Sequence, residues 1–208
     1  MLFLEAIKFD PDLSRVPKEK IVIVGSVALA VYSRLAGLKA ATHPIMHDLD
    51  LCVDETTYAL LLKKSLPADS NPQDNNSWRQ DTRCGNTTLR KNYMLQGLDK
   101  PVQLDVGPTV HNWSYGEVCE DALNFEGFKV LSPLRQLAWY EALNRKDDSS
   151  KMILLRTVLI PKLIDCADLP PQRVEWLVVR IAALRPRLLG CIRLLAPAPQ
   201  PFPHTPQH

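Results

Sequence analysis

Residues 21–53 read IVIVGSVALAVYSRLAGLKAATHPIMHDLDLCV, and the fold of the chain turns on them. Ile21, Val22, Ile23 and Val24 form a continuous β-branched run, the pattern of a strand buried on both faces. Gly25 and Ser26 end it. Residues 27–38 are apolar almost throughout, with Ser33 and Arg34 the main polar positions, which predicts a mostly buried helix. Residues 41–47 contain Pro44 and read as a loop. Asp48-Leu49-Asp50-Leu51-Cys52-Val53 then alternates with a period of two. Asp48, Asp50 and Cys52 share one face of that predicted strand, and Leu49, Leu51 and Val53 the other. Two neighbouring carboxylates repel, so this face is unfavourable unless cations or solvent compensate.

Outward from this stretch, Asp54 is placed to cap a helix over residues 55–66. Residues 67–76 (PADSNPQDNN) lack periodicity, and residues 78–85 show no clear pattern. A strand is expected at 87–95 and a turn at 97–100. A second alternating strand follows at 102–106, where Gln103 and Asp105 share the face opposite Val102, Leu104 and Val106. Residues 109–119 read as irregular, and 125–130 as a turn into a strand. Ser132-Pro133 starts a helix, an N-cap followed by Pro at the first helical position, that runs to about Arg145.

Further helices are expected at about 150–159 and 172–195, with Pro161 and Pro170-Pro171 as breaks and Pro186 kinking or dividing the last one. Residues 1–18 read as an N-terminal arm. The final PAPQPFPHTPQH has no core-forming pattern and is expected to be disordered. The fold class is therefore α/β (α+β), a mixed sheet flanked by helices. Its expected organisation is a core over residues 1–130, a helical C-terminal portion over 131–195 and a Pro-rich tail over 196–208.

The 208 residues carry a formal net charge of only +2, which neither requires nor excludes a nucleic-acid partner. Five cysteines (Cys52, Cys84, Cys119, Cys166 and Cys191) are scattered without metal-ligand spacing, as expected of free thiols in a reducing compartment. The opening MLFLEAIKFD has Glu5 and Asp10 where a secretion signal needs an apolar run. The longest apolar run, residues 21–32, is short of the roughly 20 residues that span a bilayer. A soluble, cytoplasmic protein without a membrane span is the expectation.

Asp48, Asp50 and Asp105 come from two predicted strands. With those strands adjacent and their polar faces aligned, three carboxylates converge beside the Gly25-Ser26 turn. Mg²⁺ favours carboxylate and phosphate oxygens, and two such ions about 3.5–4 Å apart clamp the attacking and leaving oxygens of a displacement at phosphorus. Asp48 and Asp50 would bridge the metals. Asp105 would bind the one next to the attacking hydroxyl and help take its proton. Gly25 allows close backbone approach, and the helix after it offers N–H groups and a positive dipole end to a triphosphate, with Ser26 Oγ as a donor.

Gly25-Ser26, then Asp48-x-Asp50, then Asp105 within an apolar strand resembles the nucleotidyltransferase superfamily, the polymerase-β-like fold. Within it, GSVALAVYSRLAGL and HDLDLCV are most similar to the minimal AbiEii/MenT-type members. The resemblance spans roughly residues 21–159 in outline. It implies transfer of a nucleotidyl group from an NTP, with Mg²⁺, to a hydroxyl on RNA, protein or a small molecule. It also implies that Gly25 and Ser26 contact the triphosphate and that the three aspartates hold the metals. The chain departs from the family pattern where a Lys is expected and Trp139 stands, and where a last Asp is expected near Ser150 and Lys151. Arg135, Arg145 and Lys151 are candidate substitutes for the missing phosphate contacts.

Blander readings stand beside these. Asp48 can cap a turn, Asp50 sit at a strand edge, and Asp105 pair with an arginine. A fold-mate without catalysis, acting as a binding or regulatory module, keeps the same aspartates, and a helical interaction protein would use residues 172–195. A DxD glycosyltransferase would need a nucleotide-sugar domain that this length hardly accommodates. His43 and His47 invite zinc, but Pro44 lies between them and no Glu base follows on a helix. Cys52 reads as a small core residue. Trp78, Arg79, Arg83, Arg90, Lys91 and Tyr93 read either as an RNA- or triphosphate-binding group or as solvated charges with core aromatics. The arginines between 173 and 193 read as one side of an amphipathic helix.

Overall fold

Strand β1 (Ile21–Val24) is buried along its whole length, as four consecutive β-branched residues require. Each such side chain contributes roughly 1.5–3 kcal/mol through removal from water, and β1 takes an interior position in a sheet, with a neighbour on each side. A computed structural model describes residues 7–8, 10–38, 48–67, 77–83, 86–93 and 101–166. Met1–Leu163 form one compact unit and Ile164–His208 another. The readings at 41–47, 97–100, 172–195 and the tail, with His43, His47, Cys84 and Cys191, lie outside the described residues.

The other strands of the main sheet are β2 (Asp48–Val53), β3 (Arg79–Arg83), β4 (Asn86–Tyr93), β5 (Val102–Gly107), β8 (Leu123–Phe125) and β9 (Phe128–Val130). Their order is β3-β4-β5-β2-β1-β9-β8. β2 runs parallel to β5 and β1 parallel to β9, while the remaining neighbours are antiparallel. The expected mixed sheet is therefore present. A separate two-stranded ribbon pairs β6 (Thr109–Val110) with β7 (Trp113–Ser114).

Helix α1 (Gly25–Leu35) leaves β1 without a loop and buries Val27, Ala28, Leu29, Val31 and Tyr32. Helix α2 (Glu55–Lys63) is capped by Asp54, whose Oδ1 accepts from Thr57 N at 2.8 Å. Helix α4 (Pro133–Leu143) starts at Ser132, which accepts from Arg135 N, and stops at Asn144 in the left-handed region, φ 48°. Tyr32 of α1 donates its hydroxyl proton to Leu131 O just ahead of α4, joining the two helices through a buried hydrogen bond.

Three expectations change. Residues 79–83 are a strand although RQDTR has no apolar alternation. An edge strand needs only ladder bonds and one pairing neighbour, and Asp81 adds an ion pair to Arg90 of β4. The irregular reading of 109–119 gives way to the β6–β7 ribbon and helix α3 (Tyr115–Glu120). A reciprocal box starts that helix: Ser114 Oγ accepts from Glu117 N, and Ser114 N donates to Glu117 Oε2 at 2.8 Å.

Pro161, lastly, does not break the helix before it. Helix α5 (Ser149–Leu154) passes through a π turn (Leu155–Leu159) into α6 (Ile160–Cys166). Ile160 N reaches back to Leu155 O, and this wider turn absorbs the missing proline N–H. Among the described residues no helix is long and apolar enough to cross a membrane.

The arm before β1 is anchored on the sheet. Asp10 is fully buried, accepts from Asp12 N and Leu13 N, and pairs with the buried Lys91 ammonium at 3.0 Å. Trp78, also buried, donates from its indole to Asp12 at 3.1 Å and lies under the Lys91 ammonium.

Candidate functional site

Register places one row of side chains across the middle of the sheet. Val24 of β1 is opposite Asp50 of β2, Asp50 is beside Asp105 of β5, and Asp105 is opposite Arg90 of β4. Residues in register on neighbouring strands share a face, so Asp50, Asp105 and Arg90 stand side by side. Asp48, two residues before Asp50, is on that face beside Gln103. The other face of β2 is Leu49, Leu51 and Val53, all buried. The sequence-predicted carboxylates thus come from adjacent parallel strands and face one way.

The Gly25-Ser26 turn closes one end of the row. Gly25 has φ 68°, a region that L side chains rarely adopt. A Cβ there would run into Asp50 Oδ2, with the Asp50 carboxyl carbon 3.1 Å away. Helix α1 therefore begins against the Asp50 carboxylate. No side chain caps this N-terminus, and Gly25 N donates instead to Gln136 Oε1 of α4 at 2.9 Å.

Gln136 and Tyr140, one turn apart on α4, form the buried wall behind the turn. Gln136 Nε2 and the Tyr140 hydroxyl both lack a hydrogen-bond partner of good geometry, although Tyr140 lies beside Ser26. Burial, with Asp148 and Asp50 nearby, pushes the Tyr140 hydroxyl pKa up. Neither residue was singled out from sequence. The available signal was a glutamine and a tyrosine four apart on the apolar side of the predicted helix.

Asp50 is the electrostatic centre. Desolvation first, and then repulsion from Asp105 and Asp48, raise its pKa from 3.8 to about 7, with Arg145 and Lys151 offsetting part of this. Among the described residues, none donates a hydrogen bond to its carboxylate. Arg145 is exposed. Lys151 binds Asp148 Oδ1 at 2.8 Å and lies 5.3 Å from the Tyr140 ring centre. Arg145 and Lys151, two of the three candidate phosphate contacts, are thus close enough to act on Asp50. Arg135, the third, is buried and tied to Asp121 at 2.7 Å, with its guanidinium over Trp113. It is part of the scaffold. Trp139 is half-buried against Tyr140, and Ser150 is exposed.

Asp105 is engaged differently. Arg90 grips it with two bonds, Nε to Oδ1 at 2.7 Å and Nη2 to Oδ2 at 3.1 Å, and Gln103 Nε2 adds a third at 2.8 Å. The remaining guanidinium nitrogen, Nη1, pairs with Asp81 Oδ2 of β3 at 2.9 Å. Arg90 is consequently an internal cation between two carboxylates. Lys91, its neighbour in sequence, is buried on Asp10, so the basic cluster around 78–93 is neither a nucleic-acid stripe at these two positions nor a solvated loop.

Among the described residues no three His, Cys, Asp or Glu side chains gather closely enough to enclose a metal ion. The donor chemistry nevertheless fits one hard divalent cation at Asp48 and Asp50. The Asp50 carboxyl is desolvated, receives no hydrogen bond from the described residues and is repelled by two others, so an oxygen-seeking cation would relieve it. Cys52 shares the face but is buried, and burial pushes its thiol up to about 12, which keeps it protonated. It is a core residue. No protein-family model matches the sequence, and a search of curated proteins found no match.

Proposed function

We propose that this protein is a Mg²⁺-dependent nucleotidyltransferase that moves an NMP group from an NTP to a hydroxyl acceptor on RNA, protein or a small molecule. The observation that carries the reading is the in-register Asp50–Asp105 pair, with Asp48 on the same face, directly against the positive-φ Gly25 that starts α1. That combination puts acidic oxygens, for cations, next to backbone N–H groups, for phosphates. A bound Mg²⁺ supplies charge neutralisation and orientation of phosphate oxygens. Asp48 and Asp50 hold it. Gly25 lets the triphosphate approach the backbone, and the uncapped end of α1 and Ser26 Oγ donate to it. Arg145 and Lys151 add positive charge from the side where the family lysine is missing. Asp105, beside Asp50, accepts the proton of the acceptor hydroxyl.

The test is label transfer from α-³²P-NTP to RNA and protein in Mg²⁺, using the full chain and the variants Asp48→Ala and Asp50→Ala. Both variants should lose transfer while keeping native circular dichroism. Unchanged turnover in either one removes the role assigned to it.

A second reading is favoured by one observation. Arg90 and Gln103 occupy both oxygens of Asp105, as expected of a nucleotide-binding or regulatory module that no longer needs a third metal-holding carboxylate. Mg²⁺-dependent NTP binding by calorimetry, with no label transfer to any acceptor, selects it.

A further inference from the structure

Helix α1 begins without a side-chain cap, and two polar groups are buried at its head with nothing to bond. Gln136 is 0% exposed. Its Oε1 accepts from Gly25 N, which fixes the amide at the first residue of α1, while its Nε2 has no hydrogen-bond partner. Tyr140, 3% exposed, lies one turn further along α4 beside Ser26, the second residue of α1, and its hydroxyl is also unmet. A polar group that has given up water and received nothing in return lowers stability. Phenylalanine would fill the Tyr140 position without that cost. Both groups are neutral donors. An amide nitrogen can only donate, and Asp148 and Asp50 near the Tyr140 hydroxyl oppose its ionisation, so it keeps its proton.

We infer that Gln136 and Tyr140 are the inner donors of an oxyanion site at the head of α1, and that a phosphate oxygen of the substrate completes them. The identity of that phosphate rests on the proposed reaction, to which the inference adds two residues of α4. Two unmet donors behind an uncapped helix start want the same partner, an oxygen with spare lone pairs and negative charge. Ser26 is part-exposed, so the ligand enters past its Oγ. Rotation of that side chain between staggered positions uncovers the hydroxyl behind it. Lys151, 5.3 Å from the Tyr140 ring centre, and Arg145 bring positive charge to the same end of α4.

A strut and a ligand donor differ in what their removal does. A hydroxyl bonded within the fold stabilises it, whereas one reserved for a ligand does not. The experiment is calorimetry with inorganic tripolyphosphate in EDTA. It uses the full-length chain carrying Asp50→Asn as parent, which removes the carboxylate that would repel the probe when no cation is present. Tyr140→Phe should bind tripolyphosphate on the order of tenfold more weakly, as expected for loss of one hydrogen bond to a charged group. Its Tm without ligand should equal or exceed that of the parent. Gln136→Glu keeps an oxygen to accept from Gly25 N but has no N–H to offer, and should lose at least as much affinity.

No tripolyphosphate binding by the parent overturns the inference, as does parental affinity in Tyr140→Phe, which would leave the two groups holding a buried water. A lowered Tm or a failure to fold in Tyr140→Phe overturns it too, because the hydroxyl then serves the fold. Parental affinity in Gln136→Glu removes Gln136 from the site. The two proposals fail separately. Absence of label transfer by the wild-type chain, alongside the expected tripolyphosphate series, removes the transferase reading and leaves the oxyanion site in place. Normal transfer with a flat tripolyphosphate series does the reverse.

Discussion

The Asp50 carboxylate occupies the space that a side chain at Gly25 would need, with the Asp50 carboxyl carbon 3.1 Å from where that Cβ would be. Each residue thus limits the other: β2 can bring an acid to the head of α1 only because the turn there has no side chain. Gly25→Ala would add a methyl group that meets Asp50 Oδ2 and would force an L residue to φ 68°. Strain at such positions costs on the order of 1–3 kcal/mol, before the displacement of Asp50 is counted. Urea unfolding should show a loss of about 2 kcal/mol or more, together with loss of Mn²⁺ binding. A variant within 0.5 kcal/mol of wild type, roughly the scatter of surface substitutions, would show that the turn relaxes freely.

Asp50 should make stability depend on pH. Its folded pKa of about 7 lies above the ordinary value of 3.8, so the native state retains a proton that the unfolded chain has lost between those values. The contribution is fully present below about pH 4 and is lost as pH rises to about 7. It amounts to no more than about 4 kcal/mol at 1.36 kcal/mol per pKa unit, less the share screened by solvent. In EDTA, Asp50→Asn should flatten the decline between pH 4 and 7 and be more stable than wild type at pH 8. Mg²⁺ should raise wild-type stability at pH 8 and leave the variant unchanged. Parallel pH profiles for the two proteins would contradict this assignment.

The buried Lys91–Asp10 pair ties the N-terminal arm to β4. Removing one partner of a buried ion pair typically costs about 3–5 kcal/mol, because the other charge stays behind uncompensated. Lys91→Met should therefore destabilise severely. Adding Asp10→Asn should recover part of the loss, since the orphaned charge is gone and the amide oxygen can still accept from Asp12 N and Leu13 N. A double-mutant cycle with strictly additive losses would mean that the two groups do not couple.

Ser114 and Glu117 close a reciprocal cap on α3, a helix of only six residues. So short a helix depends on its cap. Ser114→Ala should cost about 1 kcal/mol, read by thermal unfolding, with Glu117→Ala costing less because Ser114 Oγ still accepts from the backbone. Equal and negligible effects of both changes would place the stability of α3 in the packing of Val118 alone.

The alternation of Asp48-Leu49-Asp50-Leu51-Cys52-Val53 was enough to define β2 and its two faces, because a strand has only two sides and the leucines need one of them. The unbroken run of residues 21–24 marked β1 as a strand buried on both faces for a similar reason, and Ser132-Pro133 marked the head of α4 through local capping chemistry. These elements depend on forces acting within a few residues. β3 was not legible, since RQDTR owes its extended form to pairing with β4 and to Asp81–Arg90, which lie outside the segment. Pro161 was misjudged because the π turn that accommodates it is a backbone adjustment without a side-chain signature.

Arg90 and Lys91 show where sequence stops deciding. As neighbours in TTLRKNYML they look alike, two cations in one basic stretch. The period of the strand sends them to opposite faces, one onto Asp105 and Asp81 and the other onto buried Asp10. Sequence alone determined that acidic side chains would line one side of β2, with a glycine turn nearby. Only the tertiary structure decided that Asp105 would be their neighbour and Arg90 its partner, because strand order and register set which distant charges meet, and Coulomb interactions act on distance in space rather than along the chain.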